Sequence, residues 1–267
     1  MIVVIGSKGY LGSKVTKILK KTFVNVIEYE KIIKFKKLIY PSYVIYLKRP
    51  KKDIKNFKTI LKKFLSQNPK LKFLYISSLS VYGLGATDKI INLNSKFNPL
   101  SEYGLAKIKE ETYLNKIKLV YNKLQIIIIR CPTIYSNHHD NQHKIFNFLL
   151  KWNIPLPLNI PFNKRSYLLL ENFLDFIVHI IKNNTKYNEF LICEKKNLST
   201  SSIVKNFKKI NKSNSKLFHV NYRLLQLIFF ILKKEHLVKK MYGNFQINPY
   251  LSFKRSKWLP KKTKANV

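Results

Sequence analysis

The stretch that decides the fold is residues 2–12, which read Ile-Val-Val-Ile-Gly-Ser-Lys-Gly-Tyr-Leu-Gly. The four branched apolar residues predict a short buried strand, and Val15, Ile18 and Leu19 then recur at helical spacing. Between them, three glycines mark a turn: Gly6, Gly9 and Gly12. A strand, a glycine turn and a helix bring backbone N–H groups and a helix N-terminus to one point, where a dinucleotide pyrophosphate binds. Glycine suits that approach because a Cβ would hold the phosphate away. The alternative is a tight turn that binds nothing.

A carboxylate follows this turn at an informative distance. Glu30 lies 18 residues beyond Gly12, at the end of the next predicted strand. A carboxylate about 20 residues after such a turn binds the adenosine ribose, and it favours NAD over NADP. Glu28 is the competing candidate, because strand ends are uncertain by a residue or two. For either residue the simpler interpretation is a solvated charge.

The rest of the chain alternates strands and helices, less regularly in its second half. Strands are predicted at 24–27, 43–47, 73–76, 125–129 and 168–170, and helices at 54–66, 103–118 and 171–182, with one or two more over 222–242. The segment from 242 onward is predicted to be mostly loop. Repeated β-α-β units predict an α/β fold, a Rossmann-like doubly wound parallel sheet with helices on both faces.

Composition narrows the class of protein. The 267 residues are 46% hydrophobic, which suits a globular chain. The longest near-continuous apolar run, at 224–232, has nine residues and is interrupted by Gln226, whereas a membrane-spanning helix needs about 20. No basic segment followed by a long apolar run opens the chain, so a signal peptide is not expected. Two cysteines, Cys131 and Cys193, exclude a disulfide framework and favour the cytoplasm.

The formal net charge of +38 suggests a polyanionic partner. Only five of the 51 basic residues are arginine, however, and the lysines are scattered, as in proteins from A/T-rich genomes. Because arginine is preferred for phosphate and base recognition, specific nucleic-acid binding is not expected. The apolar face within 222–242, next to Lys233, Lys234, Lys239 and Lys240, is predicted to be core or a homodimer contact. Weak membrane-surface association is the alternative.

A second group of residues suggests proton-transfer chemistry. Tyr103 and Lys107 are four residues apart, so on a helix they share a face. An ammonium beside a phenol is expected to lower the pKa of the phenol, which then exchanges protons with a hydroxyl or carbonyl. Ser78, at the end of a predicted strand, is placed to polarise the same oxygen. In a chain this rich in lysine and tyrosine, the pair by itself is a weak signal.

Together these motifs resemble the extended short-chain dehydrogenase/reductase family, which acts on nucleotide sugars. The glycine turn, the run Ser77-Ser78-Leu79-Ser80-Val81-Tyr82-Gly83 and the Tyr103/Lys107 pair appear in the family's order. Residues 130–135, 155–173 and 241–260 are similar to the family's later motifs. They resemble the branch with UDP-N-acetyl-hexosamine 4-epimerases and UDP-N-acetyl-quinovosamine-type 4-keto reductases, which serve lipopolysaccharide precursor synthesis.

The resemblance implies NAD-dependent oxidation or reduction at C4 of a UDP-sugar. It makes Ser78, Tyr103 and Lys107 catalytic, and it makes Ser80 and Arg165 substrate contacts together with Ser78 and Tyr103, Arg165 binding the UDP pyrophosphate. The implied cofactor residues are Gly6, Gly9, Tyr10, Leu11, Gly12, Glu30, Leu47, Lys48, Tyr103 and Lys107. Residues 1–135, with about 166–185, are expected to form the NAD-binding part, and 136–165 with 186–267 the substrate-binding part.

Some positions depart from the family pattern. Only 12 residues separate Glu30 from Tyr43, and Lys48 is bulky where the family has a small residue beside the cofactor. A cofactor-impaired, non-catalytic relic is therefore an alternative, as is a basic protein that binds polyanions or membrane surfaces. The polar stretch around His138, His139, Asp140 and His143 lacks an ordered ligand spacing, so no metal site is expected.

Overall fold

Six parallel strands form the central sheet of the computed structural model, which describes residues 1–30, 40–83, 85, 89–136, 144–231 and 235–261. The strands are β1 (Ile2–Ile5), β2 (Val26–Glu28), β3 (Tyr43–Tyr46), β4 (Lys72–Ser78), β5 (Gln125–Cys131) and β8 (Glu189–Leu191), in the order β2-β1-β3-β4-β5-β8. A smaller parallel pair joins β6 (Thr133–Tyr135) to β7 (Tyr167–Leu169). The doubly wound α/β prediction is confirmed.

The helices are α1 (Tyr10–Thr22), α2 (Lys55–Gln67), α3 (Glu102–Val120), α4 (Lys144–Lys151), α5 (Leu170–Lys182), α6 (Thr200–Ile210), α7 (Tyr222–Ile231), α8 (Glu235–Tyr242) and α9 (Tyr250–Ser256). A short 3₁₀ helix, Leu79–Tyr82, follows β4 directly.

Alternate residues of the strands pack into two hydrophobic cores, one on each face of the sheet. Val4 and Ile45 pack with α1 and α5 on one face, whereas Val3 and Val44 pack with α2 and α3 on the other. This is the period-2 alternation of a strand that is covered on both sides. The continuous apolar runs in β1 and β5 therefore reflect burial on both faces.

One predicted strand boundary needs correction. The strand predicted from Val24 begins at Val26, because Val24 is 99% exposed. The segment after 242, predicted as mostly loop, has no helix over 243–249 and 257–261 and contains one short helix, α9. Trp258 follows α9 and is buried against Phe176, with ring centroids 4.9 Å apart. Its indole N–H donates to Asp175 at 2.7 Å, and this long-range contact has no local sequence signal.

The sixth strand comes from the second half of the chain. Glu189–Leu191, which lies within the range 186–267 expected to belong to the substrate-binding part, pairs with β5. In the described part of the chain, no helix has the length and apolarity needed to cross a membrane.

Candidate active site

The carboxyl ends of the parallel strands bring the predicted residues to one edge of the sheet. In register, Ile5 lies beside Tyr46 and Tyr46 beside Tyr75, so the segments after β1, β3 and β4 emerge together. Strands β2 and β3 also lie on opposite sides of β1, so the direction in which successive strands are added to the sheet reverses between β1 and β3. Ligands of doubly wound sheets bind in the crevice at such a reversal.

The glycine turn has the geometry of a phosphate cradle. Gly6 has φ +88°, a conformation that L side chains rarely adopt. A Cβ on Gly12 would lie 1.9 Å from the Gly6 carbonyl oxygen, so α1 approaches the turn as closely as glycine allows. The N-cap of α1, Gly9, makes no side-chain capping bond, and the first turn of α1 contains no acidic residue. Backbone N–H groups at this end are therefore suited to an anion.

The two carboxylates predicted as candidates for binding the ribose have different hydrogen-bond partners. Glu30 accepts a 2.9 Å hydrogen bond from the Ser7 hydroxyl, which belongs to the glycine turn. Glu28 instead accepts from Lys20 Nζ of α1 at 2.8 Å. Glu30 is thus the carboxylate tied to the turn.

A cavity of about 600 Å³ brings most of the other predicted residues together. Its lining includes Leu11, Leu47, Lys48, Ser78, Ser80, Tyr103, Lys107 and Arg165. Gly6, Gly9, Tyr10, Gly12 and Glu30 are not among the lining residues and lie on the adjoining turn and the end of β2.

Close packing between α3 and the 3₁₀ helix places Tyr103 beside the serines. Ser101 caps α3 by accepting a bond from the Gly104 N–H at 3.0 Å. A Cβ on Gly104 would lie 2.4 Å from the Ser80 carbonyl oxygen, so glycine is needed at this contact. Ser78 Oγ accepts from the Ser80 N–H at 3.2 Å.

The Ser80 hydroxyl is a buried polar group available to a ligand. Within the described residues, no hydrogen-bond partner meets its Oγ atom. A buried hydroxyl without a partner is costly, so a cavity-lining one is a candidate for binding a polar ligand.

The pKa of Tyr103 differs from the sequence prediction. Burial raises it above the usual phenol value, and the nearby Cys131 adds to this. A hydrogen bond with the Ser78 side chain and the charge of Arg49 both lower it. The prediction that the pKa of Tyr103 is low is therefore wrong for the protein alone, and the influences that do lower it include Ser78 and Arg49.

Lys107 is buried and lies on the same face of α3 as Tyr103. It is 3% exposed, and its Nζ donates to the Ile76 carbonyl at 2.8 Å. Burial lowers the pKa of Lys107 to about 8, against the opposing charges of Glu110 and Glu111. A lysine pKa that is shifted by burial and by specific charged neighbours is typical of functional sites.

Two cations of this cavity, Arg49 and Lys240, are not among the site residues predicted from the sequence. The Arg49 guanidinium carbon lies 5.9 Å from the Tyr103 ring centroid. Lys240 faces Arg165, and desolvation together with the Arg165 charge lowers the pKa of Lys240. The adjacent residues Lys239 and Lys240 mark a local concentration of positive charge in the sequence. Only the fold shows that Lys240 lines this cavity and that Lys239 does not.

Arg165 and its neighbour Ser166 are held by backbone from two segments, one at Leu198 and one at 243–245. The Arg165 N–H donates to the Leu198 carbonyl at 3.0 Å, and the adjacent Ser166 N–H donates to the Phe245 carbonyl at 2.9 Å. The Arg165 guanidinium donates to the Gly243 carbonyl at 2.6 Å. Among the residues that the structure describes, the cavity lining thus holds five cationic side chains, Lys48, Arg49, Lys107, Arg165 and Lys240, and no Asp or Glu. It is electrostatically complementary to a polyanion.

The described residues contain no group of three or more His, Cys, Asp or Glu side chains that could hold a metal ion. The histidine-rich stretch 137–143 lies outside the described residues, as do residues 31–39 of the shortened segment after Glu30.

The model of the NAD dependent epimerase/dehydratase family matches residues 48–193, more than half of the chain. The match confirms the family resemblance and agrees with NAD as the cofactor. It covers Ser78, Tyr103, Lys107 and Arg165, and begins after the glycine turn. No curated protein matched the sequence.

Three solved structures have folds similar to that of this chain. UDP-glucuronic acid 4-epimerase from Bacillus cereus, in complex with NAD, has a TM-score of 0.71 at 17% identity, over 98% of this chain and 94% of that one. UDP-glucose 4-epimerase from Thermotoga maritima, with UDP-glucose, has a TM-score of 0.71 at 18% identity, over the same shares. dTDP-4-dehydrorhamnose reductase from Bacillus anthracis, with NADP, has a TM-score of 0.61 at 15% identity, over 82% and 84%. At these identities the likeness confirms the fold.

Proposed function

Because this chain belongs to the NAD dependent epimerase/dehydratase family, we propose that it oxidises or reduces C4 of a UDP-sugar with NAD as cofactor. The observation that carries the proposal is one cavity that unites Ser78, Tyr103 and Lys107 with Arg165 and Lys240. Its serine and tyrosine suit a sugar hydroxyl, and its cations suit a pyrophosphate. The resemblance to its branch assigns the reaction to cell-surface polysaccharide precursor synthesis. The free, buried cysteines agree with the cytoplasm as its compartment.

The glycine turn and Glu30 fit NAD. The turn offers a positive-φ glycine and an uncapped helix N-terminus for the pyrophosphate, and Glu30 lies at the turn to accept ribose hydroxyls. When bound, NAD accepts or supplies the hydride. Residues 1–135 with about 166–185 would hold it, and the remainder would form the substrate-binding part.

Tyr103 is the general acid/base in this proposal. Its phenol exchanges a proton with the C4 oxygen of the sugar, and the Ser78 hydroxyl holds that oxygen by a hydrogen bond. The Lys107 ammonium stabilises negative charge on the phenol oxygen. Because burial raises the pKa of Tyr103, each positive charge in the cavity helps form the phenolate.

Arg165 and Lys240 bind the pyrophosphate in this proposal. Two like charges that face each other repel, and a dianionic group between them removes that repulsion. The buried Ser80 hydroxyl would gain a partner from the sugar or a phosphate oxygen.

The experiment is a cofactor and turnover assay on the full chain. Nucleotide released from the denatured protein is identified by mass spectrometry, and the protein is titrated with NAD, NADH, NADP and NADPH. UDP-hexoses, UDP-N-acetyl-hexosamines and their 4-keto derivatives are then assayed for epimerisation or reduction. Retained NAD with epimerised product identifies an epimerase, and exchangeable NADH with reduced product identifies a reductase. Binding of none of the four dinucleotides would contradict the proposal and favour the non-catalytic relic.

A further inference from the structure

Helix α3 carries two consecutive carboxylates into the protein interior. Glu110 and Glu111 are each 1% exposed. Glu111 is engaged by Arg130, whose Nε and Nη2 donate to Oε2 at 3.1 and 2.8 Å, and by the Ser77 hydroxyl. This pair joins α3 to β4 and β5 and has a structural role.

Glu110 has a different set of partners, and they lie at the candidate active site. The Tyr75 hydroxyl donates to Glu110 Oε2 at 2.5 Å, and Lys107 Nζ lies 3.8 Å from the same oxygen. Lys107 Nζ also lies 4.4 Å from the centroid of the Tyr75 ring. Lys107 is thus held by a carbonyl, an aromatic face and one carboxylate, all behind Tyr103.

The charge balance at Lys107 depends on this carboxylate. The groups that face Lys107 are Glu110 and Glu111 from α3, Cys131 from β5 and Tyr75 from β4. Burial disfavours the ammonium, and Glu110 is the largest influence that favours it. Burial also raises the pKa of Glu110, whereas Lys107 and the Tyr75 hydroxyl lower it and so favour the carboxylate.

Tyr75 is suited to this role because it remains a neutral donor. Its hydroxyl is buried between carboxylates, which raises the pKa of Tyr75 well above the usual value. Since Tyr75 and Glu110 have exposures of 0% and 1%, they are placed to fix charge rather than to pass protons to solvent.

We propose that Glu110, held by the Tyr75 hydroxyl, is a positioning residue that keeps Lys107 protonated beside Tyr103. The inference rests on the proposed function in one respect, since Lys107 serves catalysis only if Tyr103 is the acid/base. The charge state of Lys107 itself can be measured without substrate or cofactor.

The first experiment is a ¹³C NMR titration of the full chain labelled at lysine Cε, with the Lys107 signal assigned by its loss in Lys107→Met. In the unaltered protein we expect a midpoint near the pKa of about 8. Glu110→Gln removes the charge but keeps an acceptor for Tyr75, so the midpoint is expected to fall by about 1–3 pH units. Glu102→Gln is the matched control, because Glu102 lies on the same helix with a 76% exposed side chain paired to Lys52, and it should leave the midpoint unchanged.

The second experiment is the pH profile of turnover. Loss of the Lys107 proton sets the alkaline limb, so this limb should move to lower pH in Glu110→Gln and stay in place in Glu102→Gln. Tyr75→Phe keeps the ring but frees Glu110, and it should move the midpoint in the same direction by a smaller amount. It also tests the proposal if Glu110→Gln fails to fold.

An unchanged Lys107 midpoint in folded Glu110→Gln and Tyr75→Phe would overturn the proposal. A lowered midpoint in a protein that turns over no UDP-sugar would support the role of Glu110 and contradict the proposed function instead.

Discussion

The Ser7 hydroxyl donates a 2.9 Å hydrogen bond to Oε2 of Glu30, joining the glycine turn to the segment just after β2. Glu28, two residues earlier, pairs with Lys20 on α1. The spacing in the sequence allows either carboxylate to bind the adenosine ribose of NAD. The direct bond between Glu30 and the turn makes Glu30 the better candidate for selecting NAD.

Glu30→Gln should weaken NAD binding by about 10–100-fold, because a hydrogen bond to a charged group contributes about 1.5–3 kcal/mol. Calorimetric titration with NAD and NADP measures this, with Glu28→Gln as the matched control that keeps wild-type affinity. Equal losses in the two variants, or a larger loss in Glu28→Gln, would contradict the assignment of Glu30.

Gly12→Ala should disrupt the glycine turn, because its Cβ would lie 1.9 Å from the Gly6 carbonyl oxygen. We expect a loss of about 1–3 kcal/mol in the free energy of unfolding, as in other overpacked sites, together with loss of NAD binding. Gly9→Ala is the control, since its Cβ would lie 3.3 Å from the same oxygen. Denaturant titration should rank Gly12→Ala as the less stable variant, and the reverse order would count against this turn geometry.

Tyr103→Phe should lower kcat by at least about 10²–10⁴-fold, the usual contribution of a general acid/base. NAD binding should persist because the ring and its backbone position are retained. Turnover is followed with the UDP-sugar that the wild-type protein accepts. Wild-type kcat in the variant would remove Tyr103 from the mechanism.

Lys240→Met should weaken UDP binding by about tenfold or more, because it removes a charge-assisted contact that contributes about 1.5–3 kcal/mol. Lys240 tests the pyrophosphate site more cleanly than Arg165, which also supports the Gly243 carbonyl. Lys239→Met is the neighbouring control, since Lys239 does not line this cavity. If Lys239→Met weakened UDP binding as much, the effect would be one of overall charge.

Helix α7 carries the apolar face that was predicted to be core or a homodimer contact, with weak membrane-surface association as the alternative. Leu224, Leu227, Phe230 and Ile231 are 52%, 58%, 63% and 71% exposed, whereas Leu225 is buried as core. With a net charge of +38, two copies of the chain repel each other, so an anionic bilayer suits this face better than a homodimer.

Leu227→Ser/Phe230→Ser should therefore reduce sedimentation with phosphatidylglycerol-containing vesicles, and phosphatidylcholine vesicles should bind neither protein. Light scattering at several protein concentrations measures self-association. A dimer that the double variant abolishes, without vesicle binding, would favour the homodimer prediction.

The sequence by itself predicted five of the six strands of the central sheet and the motif residues of the candidate site. β1 and β5 were predictable because strands buried on both faces need unbroken apolar runs, and such runs are visible locally. The glycine turn and the spacing of Tyr103 and Lys107 are also local, because turn and helix geometry depend on near neighbours. The helix start at Glu102 agrees with the Ser101 cap.

Only the tertiary structure decided the electrostatics of the site. It tied Glu30 rather than Glu28 to the turn, brought Lys240 to Arg165, and put Glu110 and Tyr75 behind Lys107. The expected low pKa of Tyr103 was wrong because burial outweighs the charges that lower it. The physical reason is common to all of these. Desolvation and charge pairing depend on groups that lie far apart in the chain, and their strength is set by the water that packing removes.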